Sequence, residues 1–261
     1  MSIGWNFPSN NYGDICGIND SGIEDFKGDS YGFLVREICQ NSIDACKDKK
    51  RPVRVEFNEF SMNTNDIPDK NKLYYAIAGC LDYWKDNKKS RKFFQNAIDL
   101  VNKENVEVLR ISDYNTTGLD GSDKEINSNW SDLVKGNGVS NKDEDAGGSF
   151  GIGKSAPFAC SDLRTVFYST LDNDGKEASQ GVSRLTSFRC KDYITTGMGF
   201  YGYTDKNTPI FEMIKLDKHF ERKETGTDIY VIGFHKEENW EIKMLCAVLD
   251  DFLVSVLRGI L

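Results

Sequence analysis

The chain has 261 residues, 39% hydrophobic and 28% charged, enough for one large core or two small ones. A formal net charge of -8, from 33 Lys and Arg against 41 Asp and Glu, argues against a surface built as a general nucleic-acid platform. Seven cysteines without a C-x-x-C pair, and only two histidines (His219 and His235), exclude a histidine-rich metal centre and fit reduced, buried thiols.

Residues 1–30, rich in Gly, Asn, Asp and Ser, read as an irregular N-terminal arm. Helical spacing follows over 31–48, and Val53, Val55 and Phe57 alternating with Arg54 and Glu56 predict a strand. A polar loop is expected over 58–70, two helices over 71–104, and a strand over 106–111 that stops at Asp113. The basic cluster at 85–92 reads as a solvated helix face. From 114 to 149 the chain is dominated by Gly, Asn, Ser and Asp, the composition of a functional lid or of disorder.

A helix is then expected over 150–161 and a hairpin from 164–171 and 181–188 around the turn signal Asn173-Asp-Gly175. Residues 197–203 and 228–234 read as a further strand pair. The segment 240–261 is helical and strongly apolar, and its end at Leu-Arg-Gly-Ile-Leu261 suggests continuation into a downstream domain or a docking surface. No apolar run is long enough to cross a bilayer and the N-terminus has no signal-peptide pattern, so the expected compartment is the cytoplasm. The order of elements predicts an α+β layer, a mixed and mostly antiparallel sheet with helices on one face.

Four segments carry chemistry. On the first helix, at ~100° per residue, Glu37, Asn41 and Asp44 fall within about 60° of one another, opposite Val35, Ile38, Cys39, Ile43 and Cys46. An amide oxygen can ligate Mg²⁺, and a carboxylate one turn away can orient or deprotonate water. The bland alternative is a solvated polar face. Asp113, at a strand end before Asn115 and Gly118, can accept a hydrogen bond from an exocyclic amine; a plain turn uses the same residues.

Gly148-Ser-Phe-Gly151-Ile-Gly153-Lys154-Ser155 fits the spacing G-x-x-x-x-G-K-[ST], yet the polar residues before it cannot be the buried strand that a P-loop needs. Glycines that open a helix still expose N–H groups to phosphate at its positive end, and Lys154 adds a charge. In Thr225-Gly226-Thr227-Asp228, glycine lets the backbone approach a flat base while the Thr227 hydroxyl reaches its edge; a simple strand start is the alternative.

Taken in order from about Tyr31 to Phe234, these segments resemble the GHKL superfamily of ATPases (gyrase, Hsp90, histidine kinase, MutL), and the run from Gly148 to Ala156 is especially similar to the Hsp90-type glycine box. The resemblance implies a Bergerat-type α/β sandwich at 31–238 with an ATP lid at about 119–147, followed by a C-terminal helix at 239–261. It implies Glu37 as general base, Asn41 as the magnesium ligand and Asp44 as the acidic residue on the nucleotide side. Asp113 and Gly118 would form the adenine turn, Gly148, Gly151, Gly153, Lys154 and Ser155 the phosphate loop, and Thr227 the adenine-site threonine. The family's D-x-G-x-G is here Asp113-Tyr-Asn-Thr-Thr-Gly118, with Asn115 at the first glycine.

The implied function is Mg²⁺-dependent ATP binding and slow hydrolysis in a domain that switches conformation or dimerises with nucleotide, with feeble activity in isolation. By family analogy alone it drives a larger prokaryotic machine, acting on DNA or in defence. Its implied partners are a downstream domain or another protein, or a second copy. The alternatives are a non-catalytic nucleotide-binding interaction module and a P-loop NTPase with a magnesium-binding strand at 245–251.

Overall fold

Runs rich in β-branched and aromatic residues form neighbouring interior strands of an antiparallel sheet. In a computed structural model of the chain, residues 2–26, 28–136 and 153–261 are described. Among them β1 (Ile3–Asn6), β2 (Arg54–Asn63), β3 (Asn105–Tyr114), β4 (Ser161–Leu171), β5 (Glu177–Arg184), β8 (Met198–Tyr203) and β9 (Gly226–Phe234) form one sheet in the order β1-β8-β5-β4-β9-β3-β2. All its pairings are antiparallel rather than mixed. Two short strands, β6 (Arg189–Cys190) and β7 (Tyr193–Ile194), form a separate ladder. The helices are α1 (Ser21–Glu24), α2 (Ser30–Asp44), α3 (Lys70–Tyr83), α4 (Lys88–Val101), α5 (Ala156–Ala159) and α6 (Trp240–Leu257), and none is long and apolar enough to cross a membrane.

Side chains two residues apart on a strand share a face. Leu109, Ile111, Val166, Tyr168, Ile229 and Val231 point to one side of the sheet, where α2, α5 and α6 cover them. Val106, Val108, Phe167, Tyr230 and Ile232 point to the other, where α3 and α4 pack with Trp5 and Phe7. The expectation of helices on one face is therefore corrected: both faces are covered, and the helical pair that the sequence places between β2 and β3 makes the second layer.

Asp29 caps α2 by accepting the Gly32 N–H at 3.0 Å, and Tyr31, Leu34, Val35, Ile38 and Cys39 bury one stripe of that helix. Asn87 caps α4 in the same way, through the Ser90 N–H at 3.0 Å.

Three further expectations change. The arm at 1–30 contains strand β1, paired with β8 and pinned by the Trp5 indole N–H on the Pro68 carbonyl at 2.9 Å. Residues 58–63 continue β2 instead of forming a loop. As an edge strand β2 carries polar side chains without clean alternation, which hid it. The strands at 197–203 and 228–234 do not pair with each other: β8 lies between β1 and β5, and β9 between β4 and β3.

The helix expected over 150–161 is a 3₁₀ turn at Gly153–Ser155 and the single turn α5. Residues 245–251 are helical within α6, with Asp251 on the surface bonded to Arg36 at 2.9 Å, so they are no magnesium-binding strand.

At the β3–β9 seam sits a buried ion pair. Arg222 donates from Nε to Asp228 Oδ2 at 2.8 Å and from a terminal nitrogen to Oδ1 at 2.5 Å, both side chains wholly buried. The same guanidinium donates to the carbonyls of Asp113 and Thr227, each at 2.9 Å. Removing one partner of such a pair strands a buried charge, at a cost of about 3–5 kcal/mol. Arg222→Met is expected to lower unfolding stability by about that amount, read from denaturant midpoints, with Asp228→Asn close behind.

Candidate functional site

Between α2 and the sheet lies a cavity of about 650 Å³, solvent at its mouth included. Sheet register builds its floor. Ile111, Ile229 and Tyr168 lie across one rung, and two residues on, on the same face, Thr227 pairs with Thr170. Asp113, two residues beyond Ile111, faces the same way and accepts the Thr227 N–H at 2.7 Å. From α2 come Glu37, Ile38, Asn41, Ser42 and Ala45, from the far rim Gly153, Lys154 and Pro157, and from the segment after β3 Thr116, Gly118, Leu119 and Leu133.

One end is organised by Asp113. Its Oδ1 accepts from the Thr227 N–H and from the Thr116 hydroxyl at 2.8 Å, while among the described residues Oδ2 takes only a 3.3 Å bond from Ser42. Oδ2 thus keeps acceptor capacity for a ligand. Burial raises the Asp113 pKa above the ordinary carboxylate range; the Thr227 and Thr116 hydrogen bonds and the Arg222 charge oppose it.

The turn that follows is held by its own side chains. Asn115 sits in the left-handed region at φ 58°, its amide N–H₂ donates to the carbonyls of Asp48 (3.0 Å) and Arg51 (2.9 Å), and its Oδ1 accepts the Asp48 N–H at 3.1 Å. Asparagine here does the conformational work of a glycine and also ties the α2–β2 connection to the turn. Gly118, at φ +68°, has room for no side chain: a Cβ would lie 2.6 Å from the Leu171 carbonyl oxygen.

At the other end Gly153 presses against Glu37. A Cβ on Gly153 would fall 1.6 Å from the Glu37 carboxylate, so only glycine lets the loop and the catalytic candidate share this place. Lys154 is buried and donates to the Asp132 carbonyl at 3.2 Å. Desolvation first, then the nearby Arg184 charge, pull its pKa below the ordinary lysine value, with Asp132 acting against them. Two buried cations beside the glycine turn make this end electropositive.

Of the residues singled out from the sequence, Glu37, Asn41, Asp113, Gly118, Gly153, Lys154 and Thr227 line the cavity together. Two do not. Asp44 is exposed and accepts a hydrogen bond from the Gln40 amide at 2.8 Å, because the helix turns it past the rim. Ser155 is turned inward, where its hydroxyl accepts from Arg184 at 2.6 Å. Gly148, Gly151 and the part of the expected lid beyond residue 136 lie outside the described residues. Among the described residues no cluster of three His, Cys, Asp or Glu could hold a metal ion by itself.

Sequence reasoning missed Tyr168, Ser42, Ile229 and Arg222. Ser42 is one turn and a half from Glu37 and was hidden by its small size. The alternation of β4 and β9 marks Tyr168 and Ile229 as inward-facing, but not as cavity walls.

The sign of the Asp113 shift gives a test. A carboxyl whose folded pKa is raised stabilises the fold below its unfolded pKa and loses that contribution as pH rises through the folded value. Asp113→Asn is therefore expected to melt higher than the wild type at pH 7 without ligand, the two curves converging as pH falls toward 3. Equal melting temperatures at every pH would contradict the shift. Comparison of the chain with protein-family models and with curated proteins gave no match to either.

Proposed function

We propose that this chain is a GHKL-type ATPase domain with a Bergerat-type sandwich, binding ATP with Mg²⁺ and hydrolysing it slowly. One observation carries the reading: seven residues spread from Glu37 to Thr227 line one cavity, with an acceptor at one end and glycine plus cations at the other.

The adenine end follows from Asp113. Its Oδ2, backed by Ser42 and fixed through Oδ1, accepts the exocyclic amine of adenine, while Ile111 and Ile229 supply the flat apolar floor. Gly118 lets the backbone come close to the base edge. At the opposite end the polyphosphate meets Gly153 and Lys154.

Asn41 presents a neutral amide oxygen one turn from Glu37, a hard-donor pair that suits Mg²⁺ sharing its remaining sites with phosphate oxygens and water. Bound there, the ion would neutralise charge on the phosphates. Glu37, on the same helix and against Gly153, orients the attacking water and takes its proton.

Such a cycle suits a conformational switch. Leu119 and Leu133, lining the cavity from the segment after β3, support a lid that closes on nucleotide. Ile242, Leu245, Leu249, Leu253 and Leu257 form an exposed apolar stripe along α6, which supports docking to a downstream domain, another protein or a second copy.

Two variants separate binding from chemistry. Asp113→Asn should abolish ATP binding in calorimetry with magnesium, a loss of at least tenfold that would leave a P-loop site untouched. Glu37→Gln should keep ATP affinity within about threefold and slow single-turnover hydrolysis by 10²-fold or more, the order of a lost general base. Unchanged affinity in the first variant, or unchanged turnover in the second, would remove the assigned role.

A further inference from the structure

Helix α4 begins against its own electrostatics. It opens on Lys88, Lys89, Ser90, Arg91 and Lys92, and its first turn holds no acidic residue. The N-terminal end of a helix is the positive end of its dipole, where carboxylates are favoured and cations are not. Lys88 also lies one turn from Arg91 and Lys92, like charges at the spacings that repel on a helix surface. Lys89 is answered by Glu24 at 2.9 Å. Lys88, Arg91 and Lys92, with Lys85 in the turn before the helix, are exposed and form no ion pair among the described residues. The chain as a whole is acidic, at -8, so no general excess of cations puts them here. A helix that needed only solubility would carry Asp or Glu at these positions, and local rules are broken chiefly at functional sites.

What the patch lacks says what it meets. Between Lys88 and Asp99 the exposed positions of α4 carry Lys, Arg, Gln, Asn and Asp, and none is apolar. A helix lying on a membrane inserts large apolar side chains. A protein partner is anchored by aromatic or aliphatic groups, and a single nucleic-acid strand is gripped by stacking on exposed rings. The exposed face of α4 offers none of these. A duplex backbone asks only for charge on a rigid convex element, because released counterions supply the affinity. The helix dipole that opposes the lysines acts with them toward phosphate.

The surroundings fit. The β6–β7 hairpin is tied to the end of α3 by the Trp84 indole N–H on the Ser187 carbonyl at 2.7 Å, and carries two more exposed cations, Arg189 and Lys191, beside Asp192. Asp82 and Asp86 border the patch before the helix. Asp99 closes it two turns beyond Lys92, where its carboxylate accepts the Gln95 amide at 3.0 Å. The whole patch belongs to the layer on the far side of the sheet from the cavity.

We propose that the start of α4, with the Lys85 turn, binds the phosphate backbone of a nucleic-acid duplex without regard to sequence. The four unpaired cations make the contacts, and the acidic remainder of the surface keeps the duplex to this face. The proposal stands apart from the nucleotide reading, since no cavity residue takes part.

The test is fluorescence anisotropy of the whole chain with two unrelated labelled DNA duplexes of ~20 base pairs, from about 50 to 200 mM salt. Both duplexes should bind alike. Affinity should fall with salt at a log–log slope of about -3 to -4, about tenfold per doubling, as four phosphate contacts require. The triple variant Lys88→Gln, Arg91→Gln, Lys92→Gln should bind at least tenfold more weakly and flatten the slope by about 3. Its melting temperature without DNA should match or exceed the wild type, because charges that oppose the dipole are gone. A control triple variant of the same net charge, Lys206→Gln, Lys215→Gln, Lys223→Gln, should bind within about twofold of wild type. No binding at about 50 mM salt, a slope near zero, or equal losses in the two triple variants would overturn the proposal. So would a single strand bound more tightly than the duplex, or equal affinity for phosphatidylserine vesicles. A lower melting temperature of the first variant would overturn it too, by showing that the cations serve the fold.

Discussion

The seam where β3 meets β9 is held by one guanidinium. Arg222 binds the Asp228 carboxylate and the carbonyls of Asp113 and Thr227, all within 2.9 Å. Planar, delocalised and always charged, it can satisfy several acceptors that a lysine could not reach at once. The strand ends are thereby clamped, and the Thr227 N–H is set against Asp113 Oδ1. A single carboxylate then serves two purposes. One oxygen is consumed by the fold, and the other faces the cavity with a weak bond from Ser42. A ligand contact placed there would be preorganised, because moving it would break the sheet.

Beyond that seam the turn at 113–118 departs from a glycine-rich pattern without losing its shape. Asn115 adopts the left-handed conformation and spends its amide on carbonyls of the α2–β2 connection. The Thr117 N–H reaches the Ala45 carbonyl and the Lys47 N–H reaches the Asn115 carbonyl, each at 2.9 Å. The C-terminal end of α2 and the end of β3 are thus sewn together, and the register of Glu37 and Asn41 over the floor follows from these bonds. The next residue with positive φ, Gly118, has backbone where a side chain would go.

The two layers divide the work. The hairpin α3–α4 packs on the face away from the cavity and lends the sheet a second core, with no residue at the site. On the near face α2 both buries an apolar stripe and presents polar groups to the cavity. Burial and site share one helix, so the tilt that packs Ile38 and Cys39 also decides which polar residues reach the cavity. Asp44, at the last turn, does not.

How much of this was legible in the sequence follows from the range of the forces involved. Local rules were enough for α2, for the α3–α4 pair, for β3 and β4, and for α6, since periodicity and caps act within a few residues. They also marked Glu37, Asn41, Asp113, Gly153 and Thr227 as residues able to do related chemistry. Four-residue β1 and the edge strand β2 escaped, because their stability comes from partners far along the chain and their own alternation is weak. Which strands pair, that helices cover both faces, and that Ser42 and Arg222 both bond Asp113 were decided by tertiary structure. Those contacts join residues as far apart as Ile3 and Tyr203, where register and packing rule and no short pattern can carry the information.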